Sequence, residues 1–329
     1  MTTLLSTFEE IKQPVLEKLE LVDKNLGNIN SSVPLINEIS KQILSSGGKR
    51  LRPLITLLCG ECFGETNNTH IQLASIVELI HAATLLHDDV IDNSTKRRRK
   101  PTANFIWDNK LAILGGDFVY SLAFKKMTSL NNTRILDILA GATSYIVEGE
   151  VIQLTQNQNT NLTIDEYIQV IDRKTARLFK IAAHLGAIAS NQEEDKASKL
   201  AQFGQNFGLA YQIINDILDY TDNTEITGKN YGDDLAEGKP TLPFILAYQN
   251  ATEEEKAILN HAIQTNPDIN LVAPIIKRTK SLEMAKNTAR EFLTKATTNL
   301  ESIPSSSGKK SLESLCELVG KKLDITNNF

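Results

Sequence analysis

Carboxylates at helical spacing are the first chemistry visible in this chain. The segment LLHDDVID ends an apolar stretch with Asp88, Asp89 and Asp92. Asp88 and Asp92 are four residues apart, so on a helix they project from one face, with His81 and Leu85 earlier on that face. Three acids at a helix C-terminus oppose the macrodipole and repel one another. A sequence shaped by stability alone avoids that, although a solvated acidic helix end is the plain alternative. A second cluster lies in YQIINDILDYTDN, where Asp216 and Asp219 are three apart and Gln212 precedes Asp216 by one turn. Asn215 and Asp219 also share a face, while Ile213, Ile214, Ile217 and Leu218 would anchor the helix in a core. Magnesium prefers oxygen ligands and keeps water and substrate phosphate among them. Two such acidic faces could jointly hold several Mg²⁺ ions and neutralise a diphosphate as it leaves.

Positive charge accompanies both clusters. GGKRLRP supplies Lys49, Arg50 and Arg52 after two glycines, and STKRRRKPTAN supplies Lys96, Arg97, Arg98, Arg99 and Lys100 just beyond Asp92. Later come Arg173, Lys174 and Thr175, then GKNYGDDLAEGKPTLP with Lys229 and Lys239. Arginine offers a planar fork to phosphate oxygens and lysine a mobile point charge. Alone, Lys96–Lys100 would pass for a nuclear-localisation or RNA-binding run. The acids directly upstream would repel a nucleic acid backbone, and the net charge of −5 argues the same way.

Other signals carry less. Cys59 and Cys62 form a CxxC with no second pair, inside an apolar helical stretch, and read as buried helix residues rather than a zinc or redox site. His184 reads as a structural histidine. Hydrolase GxSxG, P-loop and dinucleotide signatures are missing.

The elements that must position these groups are helical throughout. Apolar residues recur every three or four positions, and no clear alternating strand pattern occurs. Long helices are expected over Ile71–Asp92, Asp108–Leu130, Thr133–Gln156, Thr163–Ser190 and Glu194–Tyr220, with breaks at Gly27–Ser32, Ser45–Gly48, Gly64–Asn68, Asn157–Asn161, Thr221–Gly238 and Ile303–Gly308. A helix over Ile71–Asp92 would be ~33 Å long at ~1.5 Å per residue, and a bundle of such helices can line a deep apolar cavity. The 329 residues, 41% hydrophobic and 23% charged, suit one soluble all-α domain spanning residues 1–329. The first twenty residues have no signal-peptide pattern, and Leu111–Phe124 is too short and too polar for a membrane span, so a cytoplasmic location is expected.

GGKRLRP, LLHDDVID-NSTKRRRKPTAN, RKTARLF, AYQIINDILDY and GKNYGDDLAEGKPTLP, in this order over Gly47–Phe244, together resemble the trans-isoprenyl diphosphate synthases, in particular their long-chain, octaprenyl-type bacterial members. The resemblance implies a single bundle of antiparallel helices around a deep central cavity, usually in a homodimer. It implies Asp88 and Asp92 as main metal ligands, Asp89 in support, and Asn215, Asp216 and Asp219 as the second metal motif. Three Mg²⁺ ions are expected, with Mn²⁺ as a substitute. Lys49, Arg52, His81 and Arg98, with Arg50 beside them, resemble the isopentenyl diphosphate site. Arg97, Lys174, Lys229 and Lys239 resemble contacts to an allylic diphosphate such as farnesyl diphosphate. Thr175 and Gln212 would face the developing allylic cation. The implied product is a long all-trans chain of octaprenyl type, of the kind that becomes a quinone side chain such as that of ubiquinone. Small Ala83, with Ala82 and Thr84, would open the tunnel that larger Phe124 or Met127 closes below.

Two positions depart from the family pattern. Asn215 replaces an aspartate, removing a charge from one metal site, and Arg99 replaces a glycine beside the isopentenyl site. A class I terpene cyclase would not need GGKRLRP or the Arg97–Arg98 pair. A shorter-chain farnesyl or geranylgeranyl synthase, or a non-catalytic subunit of a heteromeric synthase, remains the alternative. With oxygen ligands alone, turnover is expected to require Mg²⁺ or Mn²⁺ and to vanish with chelator. Asp88→Ala is expected to lower the steady-state rate by orders of magnitude while circular dichroism is unchanged; near-parental turnover would remove Asp88 from the metal site.

Overall fold

The structure is a computed structural model that describes residues 2–64, 66–98, 100–221, 232–265 and 267–325. The described residues are almost wholly helical; the only strands among them are β1 (Lys96–Arg97) and β2 (Lys100–Pro101), an antiparallel pair. The fold class is therefore all-α. Packing divides the chain into two compact units, each assembled from separate segments. Unit 1 is Met1–Thr143, Leu178–Gly204 and Asn299–Leu315; unit 2 is Ser144–Arg177, Gln205–Thr298 and Cys316–Phe329.

In unit 1 the chain runs through α1 (Thr2–Lys12), α2 (Leu16–Gly27), α3 (Pro34–Leu44), α4 (Leu51–Glu61), α5 (Asn68–Ile91), α6 (Ala103–Ile106) and α7 (Asn109–Ser129). The α5 helix is central, packing against α2, α4 and above all α7. It starts three residues before the expected position because Asn67 caps it. The Asn67 side chain accepts from the Thr69 N–H at 3.0 Å, and the Asn67 N–H donates to His70 Nδ1 at 3.2 Å. That leaves His70 Nε2, fully buried, to meet Gly186 O and Ser190 Oγ at 3.1 and 2.9 Å. Leu73, Ile76, Val77 and Ile80 on α5 have no exposed surface, nor do Leu54, Ile55, Leu57 and Leu58 on α4. By length and hydropathy α5 would suit a membrane, but 72% of its apolar window is buried inside the protein. It is a core helix.

Glycine sets the closest approaches. A Cβ at Gly186 would stand 2.4 Å from Thr56 O and 2.7 Å from Cys59 Cβ, and one at Gly116 would meet His87 Nε2 at 2.3 Å. The buried Cys59 and Cys62 fit the reading of packed helix residues: burial raises both thiols, Cys62 to about 12, so they stay protonated at neutral pH.

Unit 2 contains the later part of α8 (Thr133–Gln156), α9 (Ile164–Ile171), a π-helical turn at Asp172–Ala176 and the C-terminal half of α11 (Glu194–Asp219). The expected helix over Thr163–Ser190 is thus present without a gap, α9 passing through the π-turn directly into α10 (Arg177–Ala189). Further on are α12 (Asp233–Ala236), α13 (Leu242–Gln249), α14 (Glu253–Gln264), α15 (Ile269–Arg278) and α16 (Ser281–Leu300). Phe207, Ile213, Ile217, Tyr220, Phe244, Val272 and Ile276 have no exposed surface and form the core of this unit.

Overpacking at a closed helix contact costs about 1–3 kcal/mol. Gly186→Ala is expected to lower the urea-unfolding free energy of the protein by about that amount; an unchanged midpoint would mean that α4 and α10 have slack at this crossing.

Candidate active site

In unit 1 the acidic end of α5 and the basic loops lie side by side. Asp88 and Asp92 are half-buried, whereas Asp89 is only 1% exposed. Asp89 Oδ1 accepts from Arg97 Nε at 2.9 Å and Nη2 at 2.7 Å, and its backbone oxygen accepts from Asn104 Nδ2 at 3.2 Å. Burial raises the Asp89 carboxyl, and the Arg97 guanidinium opposes that rise. Asp89, expected to support the metals, therefore anchors the β1–β2 ribbon, and Arg97 holds that carboxylate while staying 30% exposed.

The Gly47–Arg50 loop runs through backbone conformations that glycine tolerates, with φ of +83° at Gly47 and +146° at Gly48. A Cβ at Gly48 would stand 2.3 Å from Arg98 Nη1, so the bare glycine leaves the space that Arg98 occupies. Lys49 Nζ lies 5.8 Å from the centre of the Phe8 ring, and the Arg52 guanidinium stacks 4.3 Å above Phe179. His81 is held well below the usual histidine range by burial and by the positive charge of Arg52, Arg97, Arg98 and Arg50. It is a neutral imidazole inside a cationic cluster, able to donate a hydrogen bond to an anion. Arg52, Arg97 and Arg98 are thus gathered around His81, while Lys49 neighbours the Phe8 ring. The Arg50 guanidinium is directed to protein acceptors instead, at Asp23, Glu78 and Leu44 O. Arg99 lies outside the described residues.

Unit 2 holds the other predicted groups. Lys174 and Thr175 sit in the π-turn, a distortion that recurs at functional sites. The turn of α8 facing it explains the distortion. A Cβ at Gly149 would stand 2.5 Å from Arg173 Cβ and 3.0 Å from Lys174 N; Glu148 accepts from Arg173 at 2.6 Å; Glu150 and Gln153 accept from Lys174 Nζ at 2.8 and 2.7 Å. Thr175 Oγ1 donates to Gln212 Oε1 at 3.0 Å, and Gln212 Nε2 donates to Asp216 Oδ1 at 2.7 Å. The fully buried Tyr167 hydroxyl donates to Asp216 Oδ2 at 2.6 Å. Asp216, 3% exposed, thereby fixes which way round the Gln212 amide stands. Asp219, 2% exposed, accepts the Asp234 N–H at 3.1 Å and, through its backbone oxygen, the Gly232 N–H at 3.0 Å. Asn215 is the one member of this motif that keeps partial exposure. Lys239 is paired with Glu237, and Lys229 lies outside the described residues.

Sequence reasoning missed Tyr167, Glu150, Gln153 and the Asp233–Asp234 pair. Only the last carried a signal, since GKNYGDDLAEGK was read for its lysines and its two adjacent acids were passed over. Of the chain-length residues, Ala83 and Met127 have no exposed surface, while Phe124 is 38% exposed and lies beside Tyr120. Among the described residues no three His, Cys, Asp or Glu side chains are gathered into a ready metal cage. The donors are nonetheless carboxylate and amide oxygens. That set suits Mg²⁺, which completes its shell with water and substrate phosphate.

A family model for polyprenyl synthetase matches residues 33–278. The chain belongs to the polyprenyl synthetase family. Among curated relatives it is 40% identical to an octaprenyl diphosphate synthase of Haemophilus influenzae, over 95% of this chain and 97% of that one. Among solved structures it is similar to a decaprenyl diphosphate synthase of Rhodobacter capsulatus, with a TM-score of 0.91, 36% identity and coverage of 96% and 99%. A polyprenyl synthase of Caulobacter crescentus, solved with calcium and isoprenyl diphosphate, gives a TM-score of 0.89 at 35% identity over 96% and 98% of the two chains. This polyprenyl synthetase is accordingly a trans-prenyltransferase, and divalent metal dependence goes with the family.

Tyr167→Phe deletes the buried donor to Asp216 and leaves that carboxylate oxygen unmatched. The expected result is a fall in kcat of about tenfold or more with the KM for isopentenyl diphosphate within about twofold. Unchanged kcat would show that the Asp216–Gln212–Thr175 chain does not act on the chemical step.

Proposed function

We propose that this polyprenyl synthetase condenses isopentenyl diphosphate with an allylic diphosphate, farnesyl diphosphate being the expected primer, and repeats the step to an all-trans product of octaprenyl type. The observation that carries the reading is the neutral His81 among Arg52, Arg97 and Arg98, beside the acidic end of α5. A terpene cyclase needs no such second anion site. Lys49, Arg52, His81 and Arg98 would bind isopentenyl diphosphate without metal. Asp88 and Asp92 in unit 1, and Asn215 with Asp216, Asp219 and Asp233 in unit 2, are the groups that would hold Mg²⁺, with three ions as the expected number. Bound Mg²⁺ supplies charge neutralisation for the departing diphosphate.

The chain's own residues then do the following. The family resemblance assigns Arg97, Lys174, Lys229 and Lys239 to the allylic diphosphate, whose C–O bond breaks with the electron pair leaving on oxygen. Gln212 Oε1 and the π-turn around Thr175 present fixed dipoles to the allylic cation. The isopentenyl double bond forms the new C–C bond, and the proton lost from the isopentenyl carbon goes to the released diphosphate.

Octaprenyl length is supported by the name of the Haemophilus relative and by the small residues at Ala82 and Ala83. Exposed Ile113, Leu114 and Phe124 on α7 support a homodimer, since such apolar patches mark interfaces. Highly charged diphosphate substrates, which do not cross bilayers, suit a cytoplasmic enzyme making a quinone side chain. Asn215 alone favours a non-catalytic subunit as a second reading, because it removes one ligand charge.

The test is the purified chain with labelled isopentenyl diphosphate, farnesyl diphosphate and Mg²⁺, and chromatography of the dephosphorylated products. Condensation by this chain alone is expected; none would favour the subunit reading. Soluble, active Ala83→Phe is expected to stop at geranylgeranyl length from a farnesyl primer, or at farnesyl length from a shorter allylic primer, and an unchanged long product would mean that the growing tail does not pass Ala83.

A further inference from the structure

Arg50 stands between Lys49 and Arg52 and shares their charge, yet its surroundings differ from theirs. Its backbone is left-handed, with φ 46° and ψ 41°, at the residue that caps α4, and its carbonyl accepts the Leu54 N–H at 2.9 Å. A non-glycine residue in that region is strained and persists only where its surroundings enforce it. Here the enforcement is the guanidinium. Nε donates to Asp23 Oδ1 on α2 at 3.0 Å, Nη1 to Glu78 Oε1 on α5 at 2.7 Å, and Nη2 to Leu44 O, the last carbonyl of α3, at 2.5 Å. One side chain thus ties α2, α3 and α5 to the residue that caps α4.

Two of those ties bear on the anion site. Glu78 precedes His81 by three residues, so both lie on neighbouring positions of one α5 face. The Leu44 carbonyl is a helix-end acceptor with no partner further along its own helix, which a cation satisfies well. Glu78 is nearly buried, with 9% of its side chain exposed, so the pair is shielded from water. For Arg50 to reach a diphosphate it would have to abandon all three acceptors and leave a buried carboxylate unpaired.

We propose that Arg50 is a positioning residue for isopentenyl diphosphate, holding Lys49 and Arg52 in register with His81 through Glu78, and does not itself touch the substrate. This rests on the proposed function of the unit 1 anion site.

The decisive comparison is Arg50→Gly against Glu78→Gln. Glycine accepts the left-handed backbone, so any loss belongs to the guanidinium. Arg50→Gly is expected to raise the KM for isopentenyl diphosphate about tenfold, with kcat and the allylic KM within about twofold. Glu78→Gln, which keeps shape and loses charge, is expected to raise the same KM about threefold or more. Calorimetry of isopentenyl diphosphate in EDTA should show the same weakening without turnover. If Glu78→Gln leaves that KM unchanged or lowers it while Arg50→Gly raises it, Arg50 is a direct ligand and the proposal fails. If both variants melt earlier but keep parental KM and affinity, the role is stability alone and the proposal fails. A parent that binds isopentenyl diphosphate without condensing it would sink the functional reading, and the calorimetric comparison would still decide this one.

Discussion

Three carboxylates crowded at the negative end of α5 are the constraint around which unit 1 is organised. Helix dipole and mutual repulsion both act against them. The protein relieves one of the three internally, by burying Asp89 against Arg97 and pinning the β1–β2 ribbon to the helix end. Asp88 and Asp92 stay partly exposed on the face they share. Burial first, and then the arginines of the same unit, hold the His81 imidazole below the usual histidine range. A stable monomer could be built without such an arrangement. A protein that binds metal and diphosphate has a use for it.

Unit 2 meets a different demand with the same economy. Gln212 and Thr175 are polar groups that act only if their dipoles point one way. Asp216 and the buried Tyr167 hydroxyl supply that direction, and the glycine at position 149 lets α8 close on the π-turn that carries Lys174 and Thr175. Burial of Asp216 and Asp219 makes them architectural as well as acidic, and Asn215 keeps the exposure that Asp216 and Asp219 lack. The amide at Asn215 therefore falls at the most accessible position of this motif.

Much of this was legible in the sequence, for a physical reason. Helical periodicity reports burial directly, so α5, α7, α8 and α11 were found to within a few residues, and the acidic and basic motifs announce themselves by charge. What escaped depends on contacts far apart in the chain. The π-turn at Asp172–Ala176 has no proline or glycine of its own, and the close approach of Gly149 to Arg173 and Lys174 joins residues well apart in sequence. The role of Arg50 could not be separated from that of Lys49 and Arg52 without Asp23 and Glu78 in place. Asp89 was more accessible to reasoning: successive helical residues point about 100° apart, so it could not share the Asp88–Asp92 face.

The central claim is that the half-buried pair Asp88–Asp92 is kept for metal and diphosphate and not for the stability of α5. The direct measurement is urea unfolding of the parent and Asp92→Asn, each in EDTA and then with Mg²⁺ plus inorganic diphosphate. Ligand that binds only the folded chain at about a hundred times its dissociation constant adds about 2.7 kcal/mol. The account predicts Asp92→Asn at least as stable as the parent in EDTA, with most of the Mg²⁺–diphosphate increment gone. A variant less stable than the parent in EDTA that keeps the full increment would contradict it.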